Sequence, residues 1–422
     1  MTFTAEREQN WAGTHVYGAS RILHPRSIAE LQEAVAAEPH IRALGTRHSF
    51  NDVADGPGVL VSTTELPLDL EIAGDRRSVT VGAGVRYGVV ATALEAEGLA
   101  LHNMGSLPHI SVGGATATGT HGSGVGNGSL STAIQALEFV GADGALRTVR
   151  RGEAEFDGSV IHLGALGVVT RLTLAVEPSY RVRQDVYHGL PWAAIEGSGL
   201  REVMSLGYSV SLFTVYGDIL TQMWVKSRIP EGHDDIEVPD EIRGATRHTE
   251  FVGFVSEDDN TTPMDGTVGP WSERLPHFRL DRTPSNGDEI QTEYFVALDE
   301  GAEAVAAVRT LSERIQPHLL VTELRTIKGD DFWLSETQGR DSLAIHFTWA
   351  KHTAEVQELL PAIEEVLRPF TPRPHWGKVS AVTPEEIEER YPRLPEFRAL
   401  VEKYDPEGKF SGAFLDRQVL GR

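Results

Sequence analysis

The sequence predicts an α+β protein of two domains. Its 422 residues exceed what one hydrophobic core usually organises. Hydrophobic residues make up 40% and charged residues 23%, a composition typical of globular proteins rather than of disordered chains, collagen or coiled coils. Near residue 180 the chain changes from short, glycine-rich alternating strands and helices to longer amphipathic strands separated by acidic loops. We therefore expect a domain boundary there.

The first 179 residues contain the signals of short alternating elements. Ser27 and Glu30 have the spacing of a capping box ahead of a helix, and the apolar run 41–44 leads as a strand into Gly45. The loop after such a strand is a natural ligand site. The same patterns predict strands at 59–61, 79–81 and 168–176, a helix at 87–97, and a hairpin around Asp143 and Gly144.

Residues 180–375 predict a second sheet with helices on one face. Its expected elements are strands at 209–216, 222–227 and 290–296 and helices at 302–315 and 354–367. The chain then turns back at two prolines, and residues 376–422 hold two short helical patterns, one of them begun by Thr383 and Glu386 in the capping-box manner. The predicted divisions are therefore 1–179, 180–375 and 376–422.

Charge and composition exclude several kinds of partner. Lys and Arg number 38 and Asp and Glu 61, so the net charge of −23 would repel nucleic acids and anionic membrane surfaces. With no cysteine, the chain cannot form a disulfide, a cysteinyl iron–sulfur cluster or a thiolate nucleophile. No apolar run approaches the ~18 residues of a membrane span, and the acidic start of the chain lacks the regions of a signal peptide. We expect a cytoplasmic protein without nucleic-acid or membrane partners.

Several common cofactor motifs are absent. No three glycines have the dinucleotide-binding spacing G-x-G-x-x-G, because Tyr87 stands where the third glycine after Gly82 and Gly84 would be needed. Neither Gly-Lys pair lies in a P-loop, and no G-x-S-x-G nucleophile motif occurs. The 16 histidines show no metal-ligand spacing, so we expect no metal site. Nicotinamide, kinase and metalloprotease functions are thereby disfavoured.

Two segments of small residues remain as ligand sites. Residues 42–50 place a strand before a turn whose successive backbone N–H groups, together with Ser49, could cradle a pyrophosphate. Residues 111–124 contain no side chain larger than valine except His121, so an extended ligand could lie against the backbone. Taken singly, each is equally typical of a surface loop or a flexible linker. Their occurrence together favours a cofactor site.

Five stretches resemble, in the same order, the FAD oxidoreductases of the vanillyl-alcohol-oxidase type, and within them the alditol oxidases. They are the first segment, the pair Gly105-Ser106, the second segment, and residues 164–169 and 375–378. The resemblance runs from about residue 11 to residue 414. It implies an FAD-binding domain made from both chain ends, with an antiparallel-sheet substrate domain between them. It also implies that FAD is attached covalently to His48, whose neutral imidazole is a suitable nucleophile. One departure lies beside it, since alditol oxidases usually have glycine where this chain has Arg47.

The resemblance also assigns a larger set of residues to the cofactor. They are Ala43, Leu44, Gly45, Thr46, Arg47, His48, Ser49, Ser106, Ser111, Gly114, Ala115, Thr116, Ala117, Thr118, His121, Gly122, Val169, His346 and Lys378.

Strand periodicity exposes a second group of polar residues. Glu323 and Arg325 are two residues apart within the strand pattern 320–327 and so share one face, as do His346 and Thr348 within 343–350. If the two strands are adjacent, the two pairs form a polar floor that faces the other domain. Alone, the pattern is more typical of a solvated sheet face with an ordinary Glu–Arg pair.

The resemblance places these residues in a substrate pocket whose members are Ser106, Glu323, Arg325, His346, Thr348 and Lys378. Oxidation of an alcohol moves hydride to flavin N5 while the hydroxyl loses its proton, so cationic donors near the developing alkoxide lower the barrier. Arg325 and Lys378 can supply that charge, and His346 can hold or accept the proton. Glu323 can accept hydrogen bonds from neighbouring hydroxyls, with Ser106 and Thr348 adding neutral contacts. Which group is the base stays open.

The activity implied is oxidation of the terminal primary alcohol of alditols such as xylitol or sorbitol to the aldehyde, with O2 reduced to H2O2. The resemblance also implies that oxygen reaches the flavin at Gly105, because a small residue at this position is associated with oxygen access in the family. We expect a monomer that binds a small polyol. Two alternatives stay open: an aldonolactone oxidase or dehydrogenase, whose relatives share a His-Trp-x-Lys element, and a non-catalytic carbohydrate-binding protein on the same fold.

Overall fold

The structure is a computed structural model that describes residues 8–249, 260–282 and 287–422. The expectation of no signal peptide concerns the first nine residues, of which residues 1–7 lie outside this described part of the chain.

The N-terminal part contains two main sheets. A parallel sheet has the order β1-β3-β2, and an antiparallel sheet has the order β4-β5-β9-β7-β8. Its strands are β1 (Arg21–Leu23), β2 (Ile41–Leu44), β3 (Val59–Ser62), β4 (Glu71–Ile72), β5 (Ser78–Gly82), β6 (Leu99–Ala100), β7 (Ile134–Val140), β8 (Leu146–Arg150), β9 (Val168–Ala175) and β10 (Glu177–Pro178), and its helices are α1 (Ile28–Ala37), α2 (Tyr87–Ala96), α3 (Val112–Ala117) and α4 (Phe156–Val160). The strands, the helix α2 and the hairpin predicted here are confirmed.

The start of α1 differs from the predicted capping box in one bond. The Ser27 hydroxyl accepts a hydrogen bond from the Glu30 backbone N–H at 3.2 Å, as predicted. The Glu30 carboxylate accepts from the backbone N–H of Arg26 at 2.8 Å instead of from that of Ser27. The helix therefore has an N-cap without the reciprocal half of the box.

The middle of the chain forms one antiparallel sheet of ten strands in the order β14-β15-β11-β13-β12-β18-β19-β17-β20, with β16 paired beside β11. Its strands are β11 (Arg181–Pro191), β12 (Ser209–Thr214), β13 (Ile219–Arg228), β14 (Glu241–Ile242), β15 (Ala245–His248), β16 (Gly269–Pro270), β17 (Glu289–Ala297), β18 (Leu319–Ile327), β19 (Ser342–Ala350) and β20 (Arg373–Pro374), and the accompanying helices are α5 (Gly199–Met204), α6 (Gly301–Arg309), α7 (Ser312–Ile315) and α8 (Thr353–Leu367). The predicted antiparallel sheet is confirmed.

One face of this sheet is apolar and is covered by helices. Leu343, Ile345, Phe347 and Trp349 alternate along β19, and all four are fully buried in the same core as the apolar faces of α6 and α8. The other face of β19 carries the predicted polar pair. The sheet therefore separates a helix-covered core from a polar face.

The prediction of a single helix at 302–315 is wrong, because the chain forms α6 and α7 with a break at Thr310 and Leu311. The Thr310 hydroxyl donates to the carbonyl oxygen of Ala307 at 2.6 Å, and the backbone N–H of Leu311 bonds to Val308 in the tighter three-residue pattern. A threonine side chain that bonds a nearby carbonyl competes with the regular helical bond, and the helix ends there.

The C-terminal segment forms α9 (Pro384–Arg390), α10 (Leu394–Tyr404) and α11 (Ala413–Leu415), followed by a π-helical turn. Both bonds of the capping box predicted at Thr383 are present. The segment packs on the N-terminal part, where the Ile41 N–H donates to the Lys409 carbonyl at 3.0 Å and Tyr404 contacts Phe139. These contacts support the proposed three-part division, in which residues 376–422 return to the first domain.

Candidate active site

A large cavity lies between the N-terminal part and the polar face of the ten-stranded sheet. The predicted site residues that line it are Ala43, Leu44, Gly45, Thr46, Arg47, His48, Ser49, Gly105, Ser106, Ser111, Gly114, Ala115, Ala117, Thr118, His121, Val169, Glu323, Arg325, His346, Thr348 and Lys378. Two predicted residues do not line it. The Thr116 hydroxyl turns back to the Val112 carbonyl of α3, and Gly122 lies against Asn103 and Met104.

Residues 45–49 form a loop of unpaired backbone donors at the end of β2. Within the described part of the chain, the N–H groups of Thr46, Arg47, His48 and Ser49 have no hydrogen-bond acceptor. Arg47 has a φ of 65°, the left-handed conformation that favours glycine. A left-handed residue next to a right-handed one can direct successive N–H groups to one side. Such a concave row of donors binds phosphate without net positive charge. The loop therefore fits the pyrophosphate of FAD.

The second small-residue segment closes against this loop. Its residues 112–117 form the short helix α3, and the Ser111 N–H donates to the Thr46 hydroxyl at 3.0 Å. A Cβ added to Gly45 would lie 2.5 Å from the Ser111 hydroxyl oxygen, so only glycine permits this approach. The cavity wall is thus backbone and small side chains on both sides, as a long cofactor requires.

His48 is held in a fixed position at the edge of the cavity. Its ring stacks on Trp11 with centroids 5.3 Å apart, and its Nδ1 lies 3.1 Å from the Thr46 hydroxyl oxygen. Burial, with the nearby His109 and Arg86, lowers the pKa of His48 to about 4. The imidazole is therefore neutral near pH 7 and carries a free electron pair.

The two predicted polar pairs are neighbours in the sheet, so the predicted floor is confirmed. β18 pairs with β19 in a register that sets Glu323 opposite His346, and β17 pairs with β19 so that Glu293 lies opposite the same histidine. Glu323, His346 and Glu293 therefore form one row across three strands. Thr348 lies in the next row toward the end of β19, opposite Gln291.

Glu293 is the main site residue that the sequence analysis missed. Its buried carboxylate lies 2.8 Å from Arg325 Nη2, 2.5 Å from Lys378 Nζ and 3.2 Å from His121 Nε2. Burial alone would raise the pKa of Glu293, but Lys378, His121 and Arg325 hold it well below its usual range. The signal was present in the predicted strand 290–296, where Gln291 and Glu293 alternate on one face as Glu323 and Arg325 do.

His346 and Arg325 line the cavity and carry buried polar atoms without a hydrogen-bond partner. Within the described residues, neither ring nitrogen of His346 has a hydrogen-bond partner, and neither does Arg325 Nε. The nearest carboxylate oxygen, Glu323 Oε2, lies 3.8 Å from His346 Nδ1 and 3.5 Å from Arg325 Nε. Burial, with Lys378 nearby, lowers the pKa of His346 to about 4, so its ring is neutral. Unpaired buried polar atoms are costly, and a bound ligand with hydroxyl groups would satisfy them.

A second missed residue, His277, contacts the other oxygen of Glu323. His277 Nε2 lies 2.7 Å from Glu323 Oε1, and the His277 backbone N–H donates to the carbonyl of Ser106 at 3.0 Å. A lone histidine in an irregular segment gives no periodic signal, so the sequence could not have singled it out. Its contacts tie that segment to two predicted substrate residues.

The described residues contain no group of three or more side chains suited to a metal ion. They also contain no helix that is long and apolar enough to cross a membrane.

The fold and the cofactor cradle define a class of protein. The family description "FAD binding domain" matches residues 19–150, and "D-arabinono-1,4-lactone oxidase" matches residues 284–418. A solvent-stable cholesterol oxidase superposes with a TM-score of 0.79 over 99% of this chain and 97% of that chain at 17% identity. Cholesterol oxidase from B. sterolicum gives a TM-score of 0.77 over 98% and 96% at 16% identity. The protein is an FAD-dependent oxidoreductase with the fold of the vanillyl-alcohol-oxidase type.

Sequence comparison identifies the family to which the chain belongs within this class. It is 44% identical to an alditol oxidase of Streptomyces sp. over 96% of this chain and 97% of that protein. It is 30% identical to L-gulono-1,4-lactone dehydrogenase of Mycobacterium tuberculosis over 98% of both chains, and 25% identical to L-gulonolactone oxidase of Bos taurus over 97% of both. The chain belongs to the alditol oxidase family.

Proposed function

We propose that this protein oxidises the terminal primary alcohol of alditols such as xylitol or sorbitol to the aldehyde, with O2 as electron acceptor and H2O2 as product. The observation that carries the proposal is the set of unpaired atoms around Glu323 Oε2, namely both ring nitrogens of His346 and Arg325 Nε. A hydroxyl group donates one hydrogen bond and accepts others, so adjacent hydroxyls of a polyol satisfy these atoms together. The similarity to an alditol oxidase supports the same substrate class.

FAD is the proposed cofactor, and bound FAD supplies the hydride acceptor. The loop 45–49 would hold its pyrophosphate and the 111–118 segment its extended body. Lys378 lines the cavity beside Arg325 through their common partner Glu293, so both cations would face the reacting end of the substrate. Arg325 Nη1 also donates to the Ser106 hydroxyl at 3.2 Å, which fixes Ser106 as a neutral contact for the ligand.

His346 is the proposed proton acceptor. Its ring is neutral near pH 7, and both of its nitrogens are free within the described structure. A general base must be deprotonated and within reach of the hydroxyl proton, and a ligand hydroxyl placed between His346 and Arg325 meets both conditions. Arg325 would then stabilise the alkoxide charge that develops as the proton leaves.

We also propose that His48 bonds covalently to FAD. The support is its neutral ring, its fixed stacking on Trp11 and its position at the end of the donor loop. Acid precipitation of the purified protein should leave the flavin with the pellet, and the denatured mass should exceed the chain mass by one FAD. His48→Ala should lose both signals. Release of all flavin into the supernatant of the wild type would contradict the attachment.

Visible absorption tests the main proposal. Purified protein should be yellow, and anaerobic xylitol should bleach the flavin band, with H2O2 forming when air is readmitted. The alternative favoured by the lactone oxidase and dehydrogenase relatives predicts faster bleaching with an aldonolactone than with xylitol. A non-catalytic carbohydrate-binding protein would bleach with neither. We further propose a cytoplasmic location, a reducing compartment that a chain without cysteine permits.

A further inference from the structure

A buried chain of three polar groups lies beneath the proposed substrate site. Lys226 is 1% exposed, His277 4% and Glu323 4%. Lys226 Nζ lies 3.0 Å from His277 Nδ1, and His277 Nε2 lies 2.7 Å from Glu323 Oε1. The imidazole of His277 therefore links a lysine that does not line the cavity to a carboxylate that does.

The partners of Lys226 fix which nitrogen of His277 carries the proton. An ammonium group has three N–H donors and no acceptor. Those of Lys226 point to the carbonyl oxygens of Leu275 at 2.5 Å and Pro276 at 3.2 Å and to His277 Nδ1. Nδ1 accepts from the ammonium, and the ionised carboxylate of Glu323, which can only accept, likewise requires the ring proton on Nε2.

Of the two bases in this chain, Lys226 takes up a proton before His277 does. Burial lowers the pKa of Lys226 to about 7 and that of His277 to about 4, so the amine remains the stronger base of the two. The other charged groups near them are Glu323, which raises the pKa of Lys226 and of His277, and Arg325, which lowers both. His277 is therefore neutral near pH 7 and lies between the amine of Lys226, which is the first of the two to take up a proton, and an ionised carboxylate.

Aromatic rings hold the His277 ring in its plane. Trp224 on β13 and Phe213 on β12 contact it at centroid distances of 4.8 and 5.9 Å. The carboxylate of Glu323 is thereby tied at Oε1 by a ring that cannot turn freely, while Oε2 has only the long contacts to Arg325 and His346 described above. Among the described residues, Oε2 is therefore the oxygen of Glu323 that lacks a short hydrogen bond.

We propose that Lys226 and His277 are positioning residues: Lys226 fixes His277 as the Nε2–H tautomer, and His277 holds Glu323 so that Oε2 faces the hydroxyl next to the reacting carbon of a polyol. The substrate part of this inference rests on the proposed alditol oxidation. The pair thus sets the preference for polyols over alcohols that lack a neighbouring hydroxyl, and Lys226 does so from outside the cavity lining.

The kinetic test compares xylitol with 1,4-butanediol, which has no hydroxyl next to its reacting carbon. Lys226→Met in the holoenzyme should lower kcat/KM for xylitol by at least about tenfold, mainly through KM, and change that for 1,4-butanediol less than about threefold. Glu323→Gln should shift the xylitol-to-butanediol ratio in the same direction. Lys328→Met, at an exposed lysine beyond β18, is the matched control and should leave the ratio unchanged. An equal loss for both substrates in Lys226→Met would overturn the proposal.

A spectroscopic measurement tests the tautomer independently of turnover. In holoenzyme labelled with 15N-histidine, a long-range 1H–15N spectrum should show His277 protonated at Nε2 and bare at Nδ1, with assignment by the loss of its signals in His277→Gln. A proton on Nδ1 in the wild type would overturn the proposal even if Lys226→Met fails to fold. If the wild type has the Nε2–H tautomer but does not oxidise xylitol, the proposed function is refuted. The part of this inference that concerns the His277 tautomer would still hold.

Discussion

Glu293 and Arg325 form a buried ion pair in which Arg325 Nη2 donates to Glu293 Oε1 at 2.8 Å. Lys378 Nζ lies 2.5 Å from the second oxygen of the same carboxylate. The two cations proposed to act in the reaction therefore share one anion, and Glu323 supplies a second anion beside Arg325. Within this cluster two cations are paired with two carboxylates, which suits an uncharged polyol.

Glu293→Gln is expected to destabilise the protein by about 3 kcal/mol or more, because it leaves two buried cations without their shared carboxylate. Chemical denaturation of wild type and variant measures this difference. Glu396→Gln is the control, since it breaks an exposed ion pair with Arg393 and should cost less than about 1 kcal/mol. Equal stability losses in the two variants would show that the buried cluster is not anchored by Glu293.

Replacing Arg325 or Lys378 with Met is expected to lower kcat and kcat/KM together by roughly 10²-fold or more. Both side chains would place charge where the alkoxide and the reduced cofactor develop it, so their effect belongs to the transition state. Steady-state kinetics with xylitol measures it. A change confined to KM would assign both residues to substrate binding alone.

Gly105→Pro is expected to slow reaction of the reduced enzyme with O2 while leaving the rate of reduction by xylitol nearly unchanged. A Cβ at Gly105 would have its nearest neighbours at 3.7 Å, so a small side chain fits there and narrows the cavity without a clash. Gly105→Ala serves as the intermediate case. Anaerobic reduction by xylitol and stopped-flow reoxidation by O2 measure the two steps separately. Equally fast reoxidation in all three proteins would show that oxygen does not reach the flavin at this position.

Arg47→Gly is expected to be more stable than Arg47→Ala by about 1 kcal/mol. Both variants lose the ion pair with Glu8, but only alanine keeps a Cβ at a φ of 65°. At Arg201, in the helix α5, the order should reverse because glycine is the poorer helix former. Thermal or chemical denaturation of the four variants measures their stabilities. A more stable Arg47→Ala than Arg47→Gly would contradict the left-handed conformation of residue 47.

The stability of the protein is expected to fall as the pH drops from about 6.5 to about 4. Burial lowers the pKa of four histidines to about 4 in the folded state, and these are His48, His162, His277 and His346. The unfolded chain binds their protons first, so stability is fully present above pH 6.5 and is lost through that window. Denaturation at pH 7 and pH 5 measures the loss. His162→Gln should reduce the proton uptake by up to one, and an unchanged slope would contradict a neutral buried His162.

Local sequence patterns predicted most of the helices and strands, and the two polar residue pairs on β18 and β19. The hairpin at Asp143, the N-cap at Ser27 and the full capping box at Thr383 depend on residues a few positions apart, and each is present. Strand alternation alone put Glu323 beside Arg325 and His346 beside Thr348. The break at Thr310 was missed because a single hydroxyl bond to Ala307 decided it.

Pairing between distant segments was decided only by the tertiary structure. Residues far apart in the chain, such as Glu293 and Lys378, meet because β17 lies between β19 and β20. The alternation of residues within one strand does not determine which strands are its neighbours in the sheet. His277 and Lys226 reach Glu323 from an irregular segment and from a strand two positions away in the sheet. The sequence by itself determined which residue types line each face, because side-chain alternation is local. Only the folded sheet decided which charges neutralise one another, because that depends on distances of a few ångströms between strands that are remote in sequence.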